Sequence, residues 1–417
     1  MSTTNNICGI DFGTSNSTIG ILKHNKPELI KLEGNSPTIP SAVFYEDEHI
    51  NPELNEIVYG KKALNYYRNH YSGRLLRSFK SVLGTSLMDD TTKVQKVKVP
   101  FTKIIQDFLQ HMKTQAELIE QQKLDYAIIG RPIHFVDGDD EKNRIAQNAL
   151  EQIAKDIGFK QVAFQYEPIA ASLKYEQSLT NEELVLVIDI GGGTTDISVI
   201  NLSPLFTNIQ DRSIHCLANH GVHIGGTDFD KHLSLHSIMP LLGSLDNMPK
   251  HIYHDLSTWH RINNVYTPEF RKAIIQARSK LKPIHYTRLM NVLNERLASS
   301  IAFNVEESKI ELSDNNHVVK DLSFIDYNLS TTITQNDLQQ SIHNDLIRIG
   351  DTIDECLNQA NVSKQDINSI FLTGGSSQMK LIKLYVQSLF PTTKIDNKDS
   401  LSSVGTGLVL DATKRFL

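Results

Sequence analysis

Apolar and polar positions follow two different periods along this chain. The segment CGIDFGTSNSTIGIL begins at Cys8, and LVIDIGGGTTDISVI begins at Leu186. Both run from apolar residues into an aspartate, an apolar residue and a glycine, turn through small residues, and leave on alternating apolar positions. Asp11 matches Asp189, Gly13 matches Gly191, Ile19 matches Ile197 and Ile21 matches Val199, all at an offset of 178 residues. Each copy predicts a strand, a tight turn and a second strand. The offset is too long for a solenoid period and suits two related lobes.

Helical spacing appears between and beyond these copies. Phe101, Ile104, Ile105, Phe108, Leu109 and Met112 fall on one helical face. Leu124–Gly130 predicts a buried strand ending at Arg131-Pro132, followed by a helix through Ile145, Leu150, Ile153, Ala154 and Ile157. Pro168 opens a helix at its first turn, running to about Tyr175. Thr334 and Asp337 form a capping signature before one long helix whose apolar face is Leu338, Ile342, Leu346, Ile349, Ile353 and Leu357. SIFLTGGSS, from Ser369, is a strand entering a glycine turn with a helix to follow. Strands alternating with helices predict a layered α/β architecture. Residues 36–117 and 231–300 fit this scheme poorly, the latter rich in His, Asn and Leu without a clear period. Both read as insertions capping the lobes.

Composition narrows the class. At roughly 150 residues per domain, 417 residues give two or three folding units. A net charge of −6 gives no reason to expect nucleic acid or an anionic membrane as the main partner. From Gly60 to Lys103 there are ten Lys/Arg against two Asp/Glu, which reads first as a solvated face and second as a partner surface. The opening MSTTNNICGIDFG has neither a basic cluster nor an apolar run before the first strand, and no stretch of 18 apolar residues follows, so neither a signal peptide nor a membrane span is expected. Cys8, Cys216 and Cys356 form no CxxC pair, which suits a reduced, cytoplasmic protein. The histidine pairs His220/His223, His232/His236 and His251/His254 have no cysteine at zinc-like spacing, and HExxH is absent, so they read as surface or hydrogen-bonded residues.

The candidate chemistry lies in the glycine turns. Phosphates need backbone N–H groups in a concave turn, and Mg2+ needs hard oxygen ligands nearby. Gly13-Thr14-Ser15-Asn16 supplies amides and hydroxyls beside Asp11, and Gly191-Gly192-Gly193-Thr194-Thr195 does so beside Asp189. If the lobes face each other, the two aspartates converge on one phosphate–metal site. Either turn alone would more often be a simple hairpin; the matched pair is far more specific. A third turn, Gly225-Gly226-Thr227-Asp228, precedes a helix, and a fourth is Gly374-Gly375-Ser376-Ser377. Alone, each reads as a helix cap. GxxxxGK[ST] is absent, GxGxxG fails at its third glycine, and no GxSxG elbow occurs.

GIDFGTSNS, YEPIAASLKY, VIDIGGGTTDISV, HIGGTDFD and FLTGGSS stand in this order in the chain, from residue 7 to about 412. In that order they resemble the nucleotide-binding domain of the 70-kDa heat-shock chaperones of the DnaK type, and in detail the short YegD-like members. The resemblance implies an actin-like ATPase (RNase H-like) fold with two lobes and a nucleotide cleft between them. Lobe I would span 1–180, with an insertion at about 36–117. Lobe II would span 181–395, with an insertion at about 230–320. Residues 396–417 would form a helix returning to lobe I. The family's peptide-binding domain would be missing.

The same resemblance implies site roles. Asp11, Gly13, Thr14, Ser15 and Asn16 would line the first phosphate loop, and Gly191, Gly192, Gly193, Thr194 and Thr195 the second. Asp11 and Asp189 would hold Mg2+, mostly through its waters. Glu167, Thr194 and Asp196 would place the attacking water. Gly225, Gly226 and Asp228 would meet ribose and phosphates, and Gly374, Gly375 and Ser376 the adenosine. Glu306, Lys309 and Ser313 match adenosine-contacting residues of the family.

Three departures change the expectation. Counted from Gly60, the position of the family's catalytic lysine is Leu64, with Lys61, Lys62 or Arg77 as substitutes. Ile310 and Gln378 stand where the family sandwiches adenine between two arginines, and Thr227 replaces an acidic residue. The resemblance therefore implies an ATP/ADP- and Mg2+-binding chaperone-family protein, a slow ATPase whose lobe closure signals to a protein partner. The alternatives are a non-catalytic nucleotide sensor, a small-molecule kinase of the same superfamily, or a polymerising actin-like protein.

Overall fold

The computed structural model describes residues 6–46, 57–69, 71–94, 97–136, 138–207, 209, 213–396 and 402–417. The first five residues of the N-terminal stretch, and parts of the insertion expected at 36–117, lie outside them. The chain forms two compact units. One comprises the chain up to His223 with Thr352–Ser377 and Phe390–Leu417; the other comprises Ile224–Asp351 and Gln378–Leu389.

The first unit contains two sheets of matching plan. In one, β1 (Ile7–Phe12), β2 (Asn16–Lys23) and β3 (Lys26–Leu29) form an antiparallel meander, and β4 (Tyr126–Arg131) and β5 (Gln161–Tyr166) extend it in parallel on the other side of β1. In the other, β6 (Glu183–Ile190), β7 (Thr195–Leu202) and β8 (Cys216–Val222) form the meander, and β9 (Ser369–Thr373) and β10 (Lys394–Asp396) extend it in parallel beyond β6. The repeated sequence segments are the first two strands of each sheet. β1, β4 and β6 are buried along most of their length and read as near-continuous apolar runs, as strands covered on both faces must.

Helices cover these sheets. Phe101–Glu120 buries Ile104, Ile105, Phe108, Leu109 and Met112, the face its spacing predicts. Asp140–Asp156 is capped by Asp139, whose carboxylate accepts from the Lys142 N–H at 3.0 Å. The C-terminal helix Ser403–Phe416 crosses β1 and the helix Glu167–Glu176 with almost no space between backbones. A Cβ on Gly407 would stand 1.7 Å from the Ala170 carbonyl oxygen, and one on Gly9 would stand 2.5 Å from the Val409 nitrogen.

The second unit is mainly helical. The region without a clear period is built from short helices, including Lys250–Ser257, Pro268–Gln276 and Pro283–Asn294. Two of them start on proline at the first turn, and each is too short for its period to stand out. The single long helix expected after Thr334 is two helices, Gln335–Ser341 and His343–Gln359. Ile342 leaves helical geometry at φ −104° and ψ 11°, breaking the run while keeping its side chain buried. The capping pair at its start forms: Thr334 accepts from the Asp337 N–H at 3.1 Å. Among the described residues, no helix is long and apolar enough to cross a membrane.

Candidate functional site: two facing turns and a buried cation

Both phosphate-type turns lie in the first unit, and both are braced from behind. In the first, the Gly13 N–H donates to Ser17 Oγ at 3.2 Å, and the Ser41 hydroxyl donates back to the Gly13 carbonyl at 2.7 Å. A Cβ on Gly13 would stand 2.1 Å from the Asn16 carbonyl oxygen, so the turn closes only on glycine. In the second, the Gly191 N–H donates to the Thr194 carbonyl at 2.9 Å, and the Ser376 hydroxyl donates to the Gly191 carbonyl at 3.0 Å. Gly374 adopts φ +81°, and a Cβ there would stand 2.3 Å from Asp189 Oδ1. The fourth glycine turn thus packs directly behind the second.

The two turns meet. A Cβ on Gly192 would lie 1.9 Å from Ser15 Oγ, and one on Gly193 would contact the Thr14 methyl at 3.8 Å. Thr14 and Ser15 therefore pack against Gly192 and Gly193.

Acidic side chains gather at the base of these turns. Asp11 is at the end of β1, and Asp189 at the end of β6, directly opposite Asp196 of β7 in antiparallel register. Like charges at facing positions of a ladder repel. Burial pushes the Asp189 carboxyl up to about 7, with the Glu167 charge adding to it. Burial and then the charge of Asp189 push Asp196 up to about 8. Burial, then Glu167, raises Asp11 as well. Thr194 donates its hydroxyl proton to Asp196 at 3.1 Å. Glu167 is the first residue of the helix Glu167–Glu176, set there by Pro168, and its side chain packs over Gly130, where a Cβ would approach its Cγ at 3.3 Å.

A lysine that the residue count from Gly60 does not find completes this cluster. Lys80 is 9% exposed, and its Nζ donates to Glu167 Oε1 at 2.7 Å. Burial pulls its pKa down, but Glu167, Asp11 and Asp196 outweigh burial and the net shift is upward, so the ammonium stays charged. Its backbone is held by the 3-10 turn Phe79–Val82, entered through Ser78 at φ 56°. Phe79 anchors that turn in the core, stacking on Phe12 at 6.0 Å and meeting Phe108 edge-on at 5.3 Å. Phe12 is the residue after Asp11, so carboxylate and ammonium are fixed to one patch of core.

Leu64 and its expected substitutes are elsewhere. Leu64 packs against the small apolar cluster of Ala42, Phe44, Val58 and Ala63 in the outer part of this unit. Lys61 is exposed, with its backbone N–H on Glu33 at 2.9 Å, and Lys62 is exposed, 5.3 Å above the Tyr66 ring. Arg77 ends the outer strand Gly73–Arg77, opposite Ala42. The acidic cluster therefore holds a lysine, Lys80, that the count from Gly60 does not reach. Reading the basic stretch as a solvated face is corrected at this position, because Lys80 is buried. The available signal was the run FKSVLG, where one lysine interrupts apolar residues that are all buried.

The remaining predicted residues lie in the second unit. Gly225 and Gly226 begin the helix Gly226–Ser237, and Asp228 caps it by accepting from the Gly225 N–H at 3.2 Å. Lys309 is buried; its Nζ donates to the Gly226 carbonyl at 2.9 Å and lies 2.8 Å from Asp230 Oδ1. Glu306 is on the same helix, Ala298–Glu311, and Ser313 lies just beyond its end. Ile310 and Gln378 are exposed.

The donor set can be tested against a metal. Among the described residues, no three His, Cys, Asp or Glu side chains converge into a ready cage. Asp11, Glu167, Asp189 and Asp196 nonetheless face a single ammonium, which leaves uncompensated negative charge when all are ionised. Mg2+ that keeps several waters and takes further ligands from phosphate fits this set, and a dry all-protein site does not.

Comparison with known proteins agrees with the geometry. The chain is 25% identical to the chaperone protein DnaK of Carsonella ruddii over 96% of its own length and 62% of that protein. It is 24% identical to the chaperone protein DnaK of Cyanidioschyzon merolae over 96% of its length and 61% of that protein, and 27% identical to that of Halobacterium salinarum over 92% and 52%. The chain thus spans little more than half the length of these relatives. The family model described as Hsp70 protein matches residues 7–242 and 285–410. With that match over most of the chain, and with its paired sheets and turns forming an actin-like ATPase fold, this protein belongs to the Hsp70 family.

Proposed function

We propose that this chain binds Mg·ATP with its phosphates between the turns Gly13–Asn16 and Gly191–Thr195 and hydrolyses it slowly, its nucleotide state being read by a protein partner. The observation that carries this reading is the close approach of the two turns, Ser15 against Gly192, with Asp11 and Asp189 at their base. Backbone amides of Thr14, Ser15, Gly192 and Gly193 would take phosphate oxygens. Asp11 and Asp189 would hold Mg2+ through its waters, and the ion would neutralise charge on the phosphates.

Hydrolysis needs a water placed in line with the β–γ bridge. Thr194 and Asp196, already bonded to each other, would place that water together with Glu167. The water oxygen forms a bond to the γ-phosphorus as the bond to the bridging oxygen breaks. ADP leaves with that electron pair, and the water's proton passes to Glu167 or to a phosphate oxygen. Catalysis of this kind is mostly positioning and electrostatics, so a modest rate follows from a modest set of groups.

A single-turnover assay with protein in excess over γ-labelled ATP tests this, following label retention and phosphate release with and without Mg2+. Mg2+-dependent release that is abolished in Asp189→Ala and slowed in Glu167→Ala is the expected result. Retained label without release would make the protein a nucleotide sensor. Neither retention nor release would end the ATP reading.

A further inference from the structure

We propose that Arg131 is a positioning residue for Glu167, acting through the ring of Tyr166. This rests on the ATP reading above and assigns a role to a residue outside the glycine turns.

Arg131 and Tyr166 are the last facing pair of the parallel strands β4 and β5. The ladder ends there, and the next residue after Tyr166 is Glu167. Tyr166 gives the helix Glu167–Glu176 no side-chain capping bond either. The stack between the two side chains takes the place of a further rung. The Arg131 guanidinium lies over the Tyr166 ring and over the Phe135 ring, 5.3 Å from each centre. A planar guanidinium favours this arrangement, and an ammonium does not reproduce it.

The arginine is itself held. Nε donates to the Pro132 carbonyl at 3.0 Å, Nη2 to the Ile133 carbonyl at 2.9 Å, and Nη1 to Gln147 of the helix Asp140–Asp156. One turn earlier in that helix, Asn143 Oδ1 accepts from the Phe135 N–H at 2.6 Å and the Val136 N–H at 3.0 Å, so the Phe135 end of the stack is fixed too. The three acceptors of the guanidinium are neutral, and its charge is not consumed by an ion pair with any of them. That charge reaches Glu167: burial lowers the pKa of Arg131, and Tyr166 and then Glu167 oppose it.

Glu167 is thus fixed from two directions. Gly130, the residue before Arg131, packs beneath its Cγ, and the residue before Glu167 is stacked on Arg131. Placing a water depends on where the carboxylate points, and a misplacement of about 1 Å can cost about 100-fold in rate. Phosphate binding uses the turns and not Glu167. Loss of Arg131 should therefore slow phosphate release without loosening the nucleotide.

The test is a double-substitution cycle on the single-turnover rate. Arg131→Met, Tyr166→Leu and the double variant are compared with wild type, with ATP and ADP affinities measured by titration. Each single variant is expected to slow release by about 10- to 100-fold and to hold both nucleotides within about threefold. The double variant is expected to be no slower than the slower single one, because the same connection has been cut twice. Tyr166→Phe keeps the ring and is expected to recover most of the rate that Tyr166→Leu loses, whereas Arg131→Lys recovers little. Where Arg131→Met does not fold, Arg131→Lys takes its place in the cycle. Losses that multiply in the double variant, an unchanged rate in Arg131→Met, or affinity falling as far as rate overturns the proposal. A wild type that binds ATP but releases no phosphate overturns it and leaves nucleotide binding standing. A wild type that binds neither nucleotide ends the ATP reading and this proposal together.

Discussion

Ser15 Oγ occupies the place that a side chain on Gly192 would need: a Cβ there would come within 1.9 Å of it. Gly192→Ala must therefore swing the Ser15 hydroxyl away and crowd Ser15 Cβ, which would stand 3.2 Å from the new methyl. Overpacking of this kind costs about 1–3 kcal/mol. Nucleotide affinity should fall by about 10- to 100-fold, since each 1.4 kcal/mol is a factor of ten. Titration with a fluorescent ADP analogue checks this, and wild-type affinity in Gly192→Ala would mean that phosphate does not sit between the turns.

A second prediction concerns Mg2+ and pH. Burial and the Glu167 charge raise Asp189 to about 7 and Asp11 to about 8, so both hold protons at a pH where a free aspartate is ionised. A cation binds the deprotonated form. Mg2+ affinity of the ADP-loaded protein should therefore rise as the pH goes from about 7 to about 9 and level off above the raised values. That range lies above the one in which the nucleotide's own phosphate titrates. A flat profile would remove these carboxylates from the metal site.

Leu64, the residue reached by counting from Gly60, is not part of the acidic cluster. It packs against Phe44 and Ala63, away from the Lys80–Glu167 pair. Leu64→Ala should lower stability by about 2 kcal/mol, the lower end of the range for a buried leucine because the side chain is only partly buried. Its single-turnover rate should match wild type. A large loss of rate without a loss of stability would return the catalytic cation to that helix.

Gly407 is tied to the site through packing alone. A Cβ there would stand 1.7 Å from the Ala170 carbonyl oxygen, on the helix whose first residue is Glu167. Backbone on both sides leaves no flexible group to yield. Gly407→Ala should destabilise by about 3 kcal/mol or more. Urea unfolding measures it, and a midpoint within error of wild type would contradict the close crossing.

Much of this was legible from residue patterns. The repeated Asp-x-Gly turns identified the first two strands of both β-meanders because strand, turn and strand are local and their residues contiguous. The helix Phe101–Glu120 and the Thr334 cap were legible for the same reason. The Lys80–Glu167 pair was not, because it joins residues 87 apart in the chain, and counting from Gly60 follows the sequence rather than the fold. Ile342 shows the opposite limit: its spacing fits one helix, but its backbone geometry divides two. In the second unit, helices such as Lys250–Ser257 are too short for periodicity to distinguish them from loops.

The Phe79 clamp has one more effect. Because the ammonium of Lys80 is suspended from the same aromatic cluster that follows Asp11, its distance from the acidic centre is set by the deep core and not by the outer helix Gly60–Arg68. The outer helix can therefore vary in sequence without altering the spacing between that ammonium and the carboxylates around it.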